Sequence, residues 1–278
     1  MTVIANAQVA PTKMDLIIAA AQRELKFQSK MAQFFYDASQ FAVKGVKSVS
    51  FPKLGSFQAL DRASGTEGVL QPISASAEKL DLDKVKQVLW LIDPQDEIQS
   101  TLNWELETIR RAAGAHGRQF DRDLIEAITG DMALSGGPIS RDIVLDMREY
   151  LKRNEANMNQ VALFISPSEE KAMLKINEFT QAQVYGNAVI PSGVLGQVYG
   201  TPVVVHNGLD DGEYFMADKD ALAYAFQKNP AYDEQKAIEY GAGAVKKTLD
   251  QMYGMKVLQI DSTALTPAGK CSLAIGNI

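Results

Sequence analysis

Apolar residues recur three and four positions apart from Leu16 through Ala19, Ala20, the Arg23 stem, Phe27, Met31, Phe34 and Phe35 to Ala38. This spacing predicts an amphipathic helix after the turn at Ala10-Pro11-Thr12. Its stripe belongs either to the core or to an arm that lies on a neighbouring subunit. From Val46 to Lys79 the pattern changes: Val46, Val49, Phe51 and Leu54 punctuate a stretch that holds Pro52, Gly55, Gly65, Gly68 and Pro72. Such a stretch reads as a long hairpin, far above the usual connection of roughly 4 to 6 residues, and it cannot build its own core. It is either a mobile surface loop or it packs on something else. Alternation near period two returns between Leu82 and Ile92, with Val85, Val88, Trp90 and Ile92 as the apolar side of a strand. Asp93 then supplies an N-cap, Pro94 the first helical position and Asp96 an early carboxylate. Ile98, Leu102, Leu106, Ile109, Ala113, Phe120, Leu124 and Ile128 keep helical spacing to Gly130, which makes a helix roughly 50 Å long. Gly114 and Gly117 in its middle predict a bend or a close crossing.

Gly136-Gly137-Pro138 breaks the chain between a thin first half and a compact second half. Ser140 caps a helix that is apolar at Ile143, Val144, Met147, Tyr150 and Leu151. Val161 to Ile165 is a buried-strand run, followed by Ser166-Pro167-Ser168-Glu169, a capping box opening a helix with Met173, Leu174 and Phe179 on its apolar side. Strands are expected around Val194–Val205, Tyr214–Ala217, Ala221–Phe226 and Gly254–Ile260, with turns at Asn207-Gly208 and Asp211-Gly212. The class is mixed α+β, without internal repeats.

Composition acts mainly by exclusion. A chain of 278 residues with 46% hydrophobic and 22% charged positions holds one large or two ordinary domains, neither disordered nor collagen-like. No apolar run approaches the roughly 18 residues of a spanning helix. The start, Met1-Thr-Val-Ile-Ala-Asn-Ala-Gln, lacks the marks of a signal peptide, so a soluble protein with no membrane contact is expected. The single cysteine, Cys271, forms no internal disulfide, and His116 and His206 stand too far apart in sequence to suggest a histidine metal centre.

A net charge of −6 and a pI near 5.1 argue against tight nucleic-acid binding through a broad basic face. The charge is uneven: the first fifty residues carry six basic and three acidic side chains, whereas residues 201–240 carry eight acids and three lysines. A basic arm and an acidic lobe can attract each other between copies. On the long helix Arg111, Arg118 and Arg122 share one face, with Glu107 and Glu126 in reach of the end members and only the short Asp121 near Arg118. That face is either solvated or meets a carboxylate of another subunit.

Catalytic motifs do not assemble. Gly193, Gly196 and Gly200 miss the dinucleotide fingerprint, and Gly241-Ala-Gly243 lacks the glycine that a phosphate loop needs directly before its lysine. Asp210, Asp211, Glu213, Asp218 and Asp220 do not follow calcium-loop spacing. Neither histidine has a serine or cysteine motif beside it, so both read as structural. We expect no enzyme, no catalytic residue, no cofactor and no metal.

The run Leu195-Gly196-Gln197-Val198-Tyr199-Gly200-Thr201-Pro202-Val203-Val204-Val205-His206-Asn207 is similar to a glycine, spacer, glycine, apolar strand, small polar and asparagine pattern found in major capsid proteins of tailed bacteriophages. Val161 to Ser168 and Tyr253-Gly254-Met255-Lys256-Val257-Leu258 look like further features of that family in the same order, and the likeness covers nearly the whole chain. This resemblance implies the Hong Kong 97-like fold. Residues 1–45 would be an N-terminal arm and 46–82 the extended β-hairpin loop. Residues 83–154 and 246–278 would form the peripheral domain, with its spine helix over 93–129, and 155–245 the axial domain.

The function so implied is self-assembly through pentamers and hexamers into an icosahedral head shell around double-stranded DNA. The protein would reside in the virion after assembly in the host bacterial cytoplasm. Its partners would be its own copies, a separate scaffolding protein, a portal, a decoration protein and, without sequence preference, packaged DNA. Candidate intersubunit contacts are Phe51, Leu54, Phe57, Arg111, Arg118, Arg122, Asp210 and Asp211. The chain departs from the family where His206 replaces a common serine and where no Lys-Asn pair matches the self-crosslinking members, so no crosslinks are expected. Met1 and a short arm suggest that no scaffolding segment is fused. An encapsulin-like cage that encloses cargo shares the same resemblance, and an α+β enzyme or ligand-binding protein without a motif is the reading from a different class.

Overall fold

The structure is a computed structural model that describes residues 29–54, 59–62, 64–71, 75–92, 104–128, 137–154, 156–175, 194–240, 243–261, 270–271 and 273–277. It opens with 3-10 turns at Ala32–Phe34 and Ser39–Phe41 on either side of a short strand β1, Tyr36–Asp37. The helix expected to run to Ala38 is therefore absent from residue 29 onward, and its earlier part lies outside the described residues. Met31, Phe35 and Ala38 are buried for another reason. β1 lies parallel to residues 223–224, and the Ala38 N–H donates to the Tyr224 carbonyl at 2.8 Å. A backbone donor spent on a strand cannot also close a helical turn.

β2 (Ser48–Leu54) and β3 (Ala75–Asp81) form the expected hairpin, with Ser48 opposite Asp81 and Leu54 opposite Ala75. β4 (Lys84–Ile92) follows with a strict alternation of half-buried and exposed positions. The long helix α1 is described over Trp104–Ala127, about 36 Å of axis. Its expected start at Asp93-Pro94 lies outside the described residues; at its other end the helix stops at Ala127, Ile128 is buried just beyond it, and residue 129 lies outside the described residues. Gly114 and Gly117 are both buried within it and flank His116, whose Nε2–H donates to the Leu249 carbonyl at 2.9 Å. At this point the helix is tied to the strand beneath it by a side chain reaching a backbone carbonyl.

α2 (Arg141–Arg153) starts on Ser140, whose hydroxyl accepts from the Ile143 N–H, and buries Val144, Met147 and Leu151. β5 (Ala162–Ile165) is buried throughout, and α3 (Pro167–Met173) begins with its proline in the first turn. No capping box forms there. The Ser166 N–H is already given to the Glu213 carbonyl at 3.0 Å, so the Glu169 carboxylate is free to accept from the Ile139 N–H at 2.7 Å, tying α3 to the start of α2. The expected single stretch from Val194 to Val205 is a hairpin of β6 (Val194–Val198) and β7 (Thr201–Val205). Tyr199 at φ 50° and Gly200 at φ 81° make a two-residue turn whose twist suits paired strands. β8 is Tyr214–Ala217, β9 Leu222–Lys236, β10 Val245–Val257, β11 Gln259–Asp261, β12 Lys270–Cys271 and β13 Leu273–Asn277.

Two sheets carry the fold. One has the order β1-β9-β10-β4 and the other β13-β8-β5-β7-β6. α1 covers the first, with Ile109, Ala112 and Ala113 against Leu249 and Tyr232. α2 and α3 cover the second through Val144, Met147, Leu151 and Met173, packed on Leu163, Ile165, Val203 and Met216. A larger core joins the two layers: Phe120 and Leu124 of α1 meet Phe164, Phe215 and Tyr253 together with Met31 and Phe35. Phe164 stacks between Phe215 at 4.8 Å and Phe35 at 5.6 Å, a geometry that adds to burial alone. The sheets cut across the sequence partition. β9, from the segment expected to be axial, lies beneath α1, whereas α2 and β13, expected to be peripheral, belong with the five-stranded sheet.

Candidate functional site

The hairpin carries the first group of expected contacts. Phe51 turns toward its own subunit, its ring 6.3 Å from that of Tyr36 in an edge-on contact. Leu54 ends β2, and Phe57 lies outside the described residues. Beyond the ladder Leu60, Val69 and Leu70 are 52%, 75% and 96% exposed, an unusual concentration of apolar side chains in water. Beneath the hairpin runs an open apolar groove lined by Tyr36, Phe41, Val49, Phe51 and Leu258, with Glu78 and Asp220 on its rim.

The second group lies on α1. Arg111 is exposed and paired with Glu107 at 3.0 Å, as the spacing predicted. Arg118 and Arg122 are exposed and have no acidic partner among the described residues. Asp121 does not serve Arg118. It is buried, and its carboxylate accepts from Ser29 Oγ at 2.6 Å, from the Lys30 N–H at 3.1 Å and from His206 Nε2 at 2.8 Å. The other His206 nitrogen, Nδ1, accepts the Gly208 N–H at 3.0 Å, which places the ring proton on Nε2, toward Asp121. A Cβ at Gly208 would stand 2.8 Å from His206 Cε1, so the turn needs glycine to approach the ring. Two turns of chain and the long helix are thereby pinned at one carboxylate. Ser29 bonds the aspartate rather than the histidine, so no nucleophile–base pair is present in this cluster.

Asp123, two residues further along the helix, is also buried. It accepts from Gln119 Nε2 at 2.6 Å, Tyr253 Oη at 2.8 Å and Lys86 Nζ at 3.0 Å, with Lys84 at 3.7 Å. Desolvation raises its carboxyl pKa, but the Lys86, Tyr253 and Gln119 hydrogen bonds and the Lys84 charge outweigh it and hold the group below its usual range. This locks the helix to β4 and β10. The acidic loop closes on itself: the Glu213 carboxylate accepts the Asp210 N–H at 2.7 Å, and the Asp210 and Asp211 side chains are left exposed. Among the described residues no group of three or more His, Cys, Asp or Glu is arranged to hold a metal, and no helix is long and apolar enough to cross a membrane.

Two residues at the hairpin root were not singled out from the sequence. Gln227 of β9 donates from Nε2 to the Val46 carbonyl at 2.6 Å and the Val43 carbonyl at 3.2 Å. Gly254 of β10 lies so close to β3 that a Cβ there would stand 1.9 Å from the Asp81 carbonyl oxygen. A lone glycine inside a strand is a signal of such an approach; nothing in the sequence marks Gln227.

A standing-off hairpin, a long pinned helix and two sheets sharing one core form an arrangement that known proteins repeat. The family model described as "Phage capsid protein" matches residues 37–264. The chain belongs to this phage capsid family. A curated major capsid protein of Staphylococcus phage phiMR11 is 25% identical to the capsid chain over 126 residues, 44% of this chain and 45% of that protein. The match thus spans less than half of that relative's length. Solved structures agree in fold across most of the capsid chain. One from Mycobacterium phage Che8 has a TM-score of 0.69 at 20% identity, covering 89% of this chain and 90% of that one. The capsid of the cyanophage P-SCSP1u has a TM-score of 0.62 at 14% identity, covering 87% and 85%. A virus-like particle from Pyrococcus furiosus has a TM-score of 0.61 at 10% identity, covering 95% and 99%. The fold is the Hong Kong 97-like capsid fold, as the resemblance implied.

Proposed function

We propose that the chain is the major capsid protein of a tailed phage, which assembles through pentamers and hexamers into the icosahedral shell that encloses double-stranded DNA. The observation that carries this reading is the hairpin. Its root is packed into the subunit, while its far part exposes Leu60, Val69 and Leu70 with nothing among the described residues to cover them. A contact made by such a projection is heterologous, one surface on one copy and another on the next, and heterologous contacts close into rings. The test replaces residues 55–74 with a short glycine turn. Subunits should stay folded, by circular dichroism and cooperative melting, yet form no shells in negative-stain microscopy. Normal shells from this variant would overturn the assignment.

Within that reading the lobes follow the sheets. We assign the peripheral lobe to α1 with β4, β9 and β10, and the axial lobe to α2, α3, β5–β8 and β13. Arg118 and Arg122 face the acidic Asp210–Asp211 loop of an adjacent copy. Phe51 packs within the subunit, Arg111 pairs with Glu107 but stays exposed to a neighbour, and Leu54 and Phe57 remain candidate contacts of the hairpin. A separate scaffolding protein, a portal and a decoration protein are the partners of this scheme, with assembly in the host bacterial cytoplasm and residence in the virion. A second reading, a cage enclosing protein cargo, is favoured by the likeness to the Pyrococcus furiosus virus-like particle, 99% of whose chain is covered. Nucleic acid inside purified particles supports the first reading; copurifying protein cargo without nucleic acid supports the second.

A further inference from the structure

We propose that Gln227 and Gly254 form a joint that fixes the angle at which the hairpin leaves the subunit, and that this angle selects the size of the shell. The inference rests on the capsid reading and adds to it the residues that set subunit geometry.

Both legs of the hairpin are gripped at one place on the β9–β10 pair. The incoming leg is held by the Gln227 amide, which spends one hydrogen on the Val46 carbonyl and the other on the Val43 carbonyl. Just before it, the Phe226 N–H donates to Ser39 Oγ at 3.0 Å. The outgoing leg crosses directly over Gly254, where a Cβ would stand 1.9 Å from Asp81 O, 2.8 Å from Asp81 C and 3.0 Å from Leu80 Cδ2. Gly254 is paired with Ala225, two residues before Gln227, so both grips act across neighbouring rungs of the same ladder. The legs are joined to each other by the Leu82 N–H on the Lys47 carbonyl at 2.9 Å. Val49, Leu80 and Leu82 plug the joint into a small core with Ala38, Ala42, Ala223 and Ala225.

Past this point Phe51 still packs against Tyr36 and the small core, and the rest of the ladder borders an open groove. The groove between its underside, at Ser48, Ser50 and Pro52, and the body, at Phe41, Asp220 and Leu258, is open. The Phe51–Tyr36 ring contact is the bridge nearest the root. The hairpin is therefore a lever held at one end. Five residues of ladder beyond Val49 reach about 17 Å, so a tilt of about 10° at the root moves the far end by about 3 Å. Such a shift exceeds what close-packed contacts with a neighbour absorb without choosing another arrangement. Gln227 and Gly254 are positioning residues: they act on assembly through the hairpin.

The test uses the full chain with Gly254→Ala and Gln227→Ala made separately. In a background of Cys271→Ser, spin labels at Gly68→Cys and Glu126→Cys report the hairpin-to-helix distance in unassembled subunits. Both variants should broaden or shift that distance distribution relative to the parent. Under conditions where the parent forms shells, both should lose its single particle diameter in electron microscopy, and Gln227→Lys, which returns a donor, should restore it. Unchanged distance distributions overturn the joint, and an unchanged single diameter overturns its role in shell size. Gln227→Ala removes only two hydrogen bonds at the surface and decides the matter if Gly254→Ala does not fold. A parent that forms no shells under any condition sinks the capsid reading instead, while the label distances still judge the joint.

Discussion

His116 sits almost wholly buried at the middle of α1, bonded to a carbonyl of the sheet beneath it. Burial pushes its imidazole below the ordinary value of 6.5 by more than the Leu249 carbonyl and the Asp250 charge push it up. The unfolded chain therefore takes up a proton here as pH falls through 6.5, while the folded chain resists until lower pH. Stability is unaffected by this group above 6.5 and is lost progressively below it. His116→Gln keeps a donor for Leu249 and removes the titration. The drop in thermal midpoint between about pH 7.5 and about pH 5.5 should be smaller in the variant than in the parent; an equal drop would assign the acid sensitivity elsewhere. From sequence both histidines read as structural, and their hydrogen bonds fit that reading. Their partners were not legible, because Leu249 and Asp121 are brought to them by tertiary packing across 133 and 85 residues.

At the level of the element, the attachment of α1 to its sheet depends on Asp123. Its side chain is 3% exposed and holds Lys86, Tyr253 and Gln119 at once. Asp123→Asn removes the charge-assisted part of these bonds and should cost roughly 1.5–3 kcal/mol, read from urea unfolding of the unassembled subunit at neutral pH. A loss within error of zero would mean that the lysines are equally well satisfied by water. Elements with one clean face were legible. The Ser140 cap, the fully buried Ala162–Ile165 strand and Tyr214–Ala217 all fall where hydrophobic pattern and capping chemistry put them. The early part of β10 was missed because its buried face alternates Lys247, Leu249, Gln251 and Tyr253, and two of those four are polar. The far half of β9 was missed because Asn229-Pro230 and a polar tail carry no apolar period, and its pairing with β10 alone makes it a strand. The Met31–Ala38 segment misled in the opposite sense. Its three-and-four spacing is real, but Met31 and Phe35 enter the large core on either side of a single 3-10 turn and Ala38 enters the small core at the hairpin root, so no one helical face buries them.

For the whole molecule, charge offers the sharpest test of how copies meet. Arg118→Glu with Arg122→Glu should abolish shells while leaving a folded subunit, since both side chains are exposed and unpaired among the described residues. Adding Asp210→Arg and Asp211→Arg should restore assembly, seen by sedimentation, because reversing both partners returns attraction. Failure of the fourfold variant to assemble, with a normal melting curve, would show that the arginines answer to some other surface. The architecture was legible as an order of elements, but the placement of β9 and β13 was not. Strand order depends on pairings between segments far apart in sequence, and hydrophobic period does not encode them.

The position of β13 also bears on timing during protein synthesis. β8 ends at residue 217, and its edge partner begins only at residue 273. At about 5–20 residues per second, a ribosome spends roughly 3–11 s between the two. Throughout that interval the Tyr214–Ala217 edge lacks its partner, and Ala274 is missing from the core beneath α2. A lobe that stays unfinished until residue 273 has been made cannot offer its finished surface to another copy. Nascent chains crowded on one message are thereby kept from joining each other through this lobe before β13 is made.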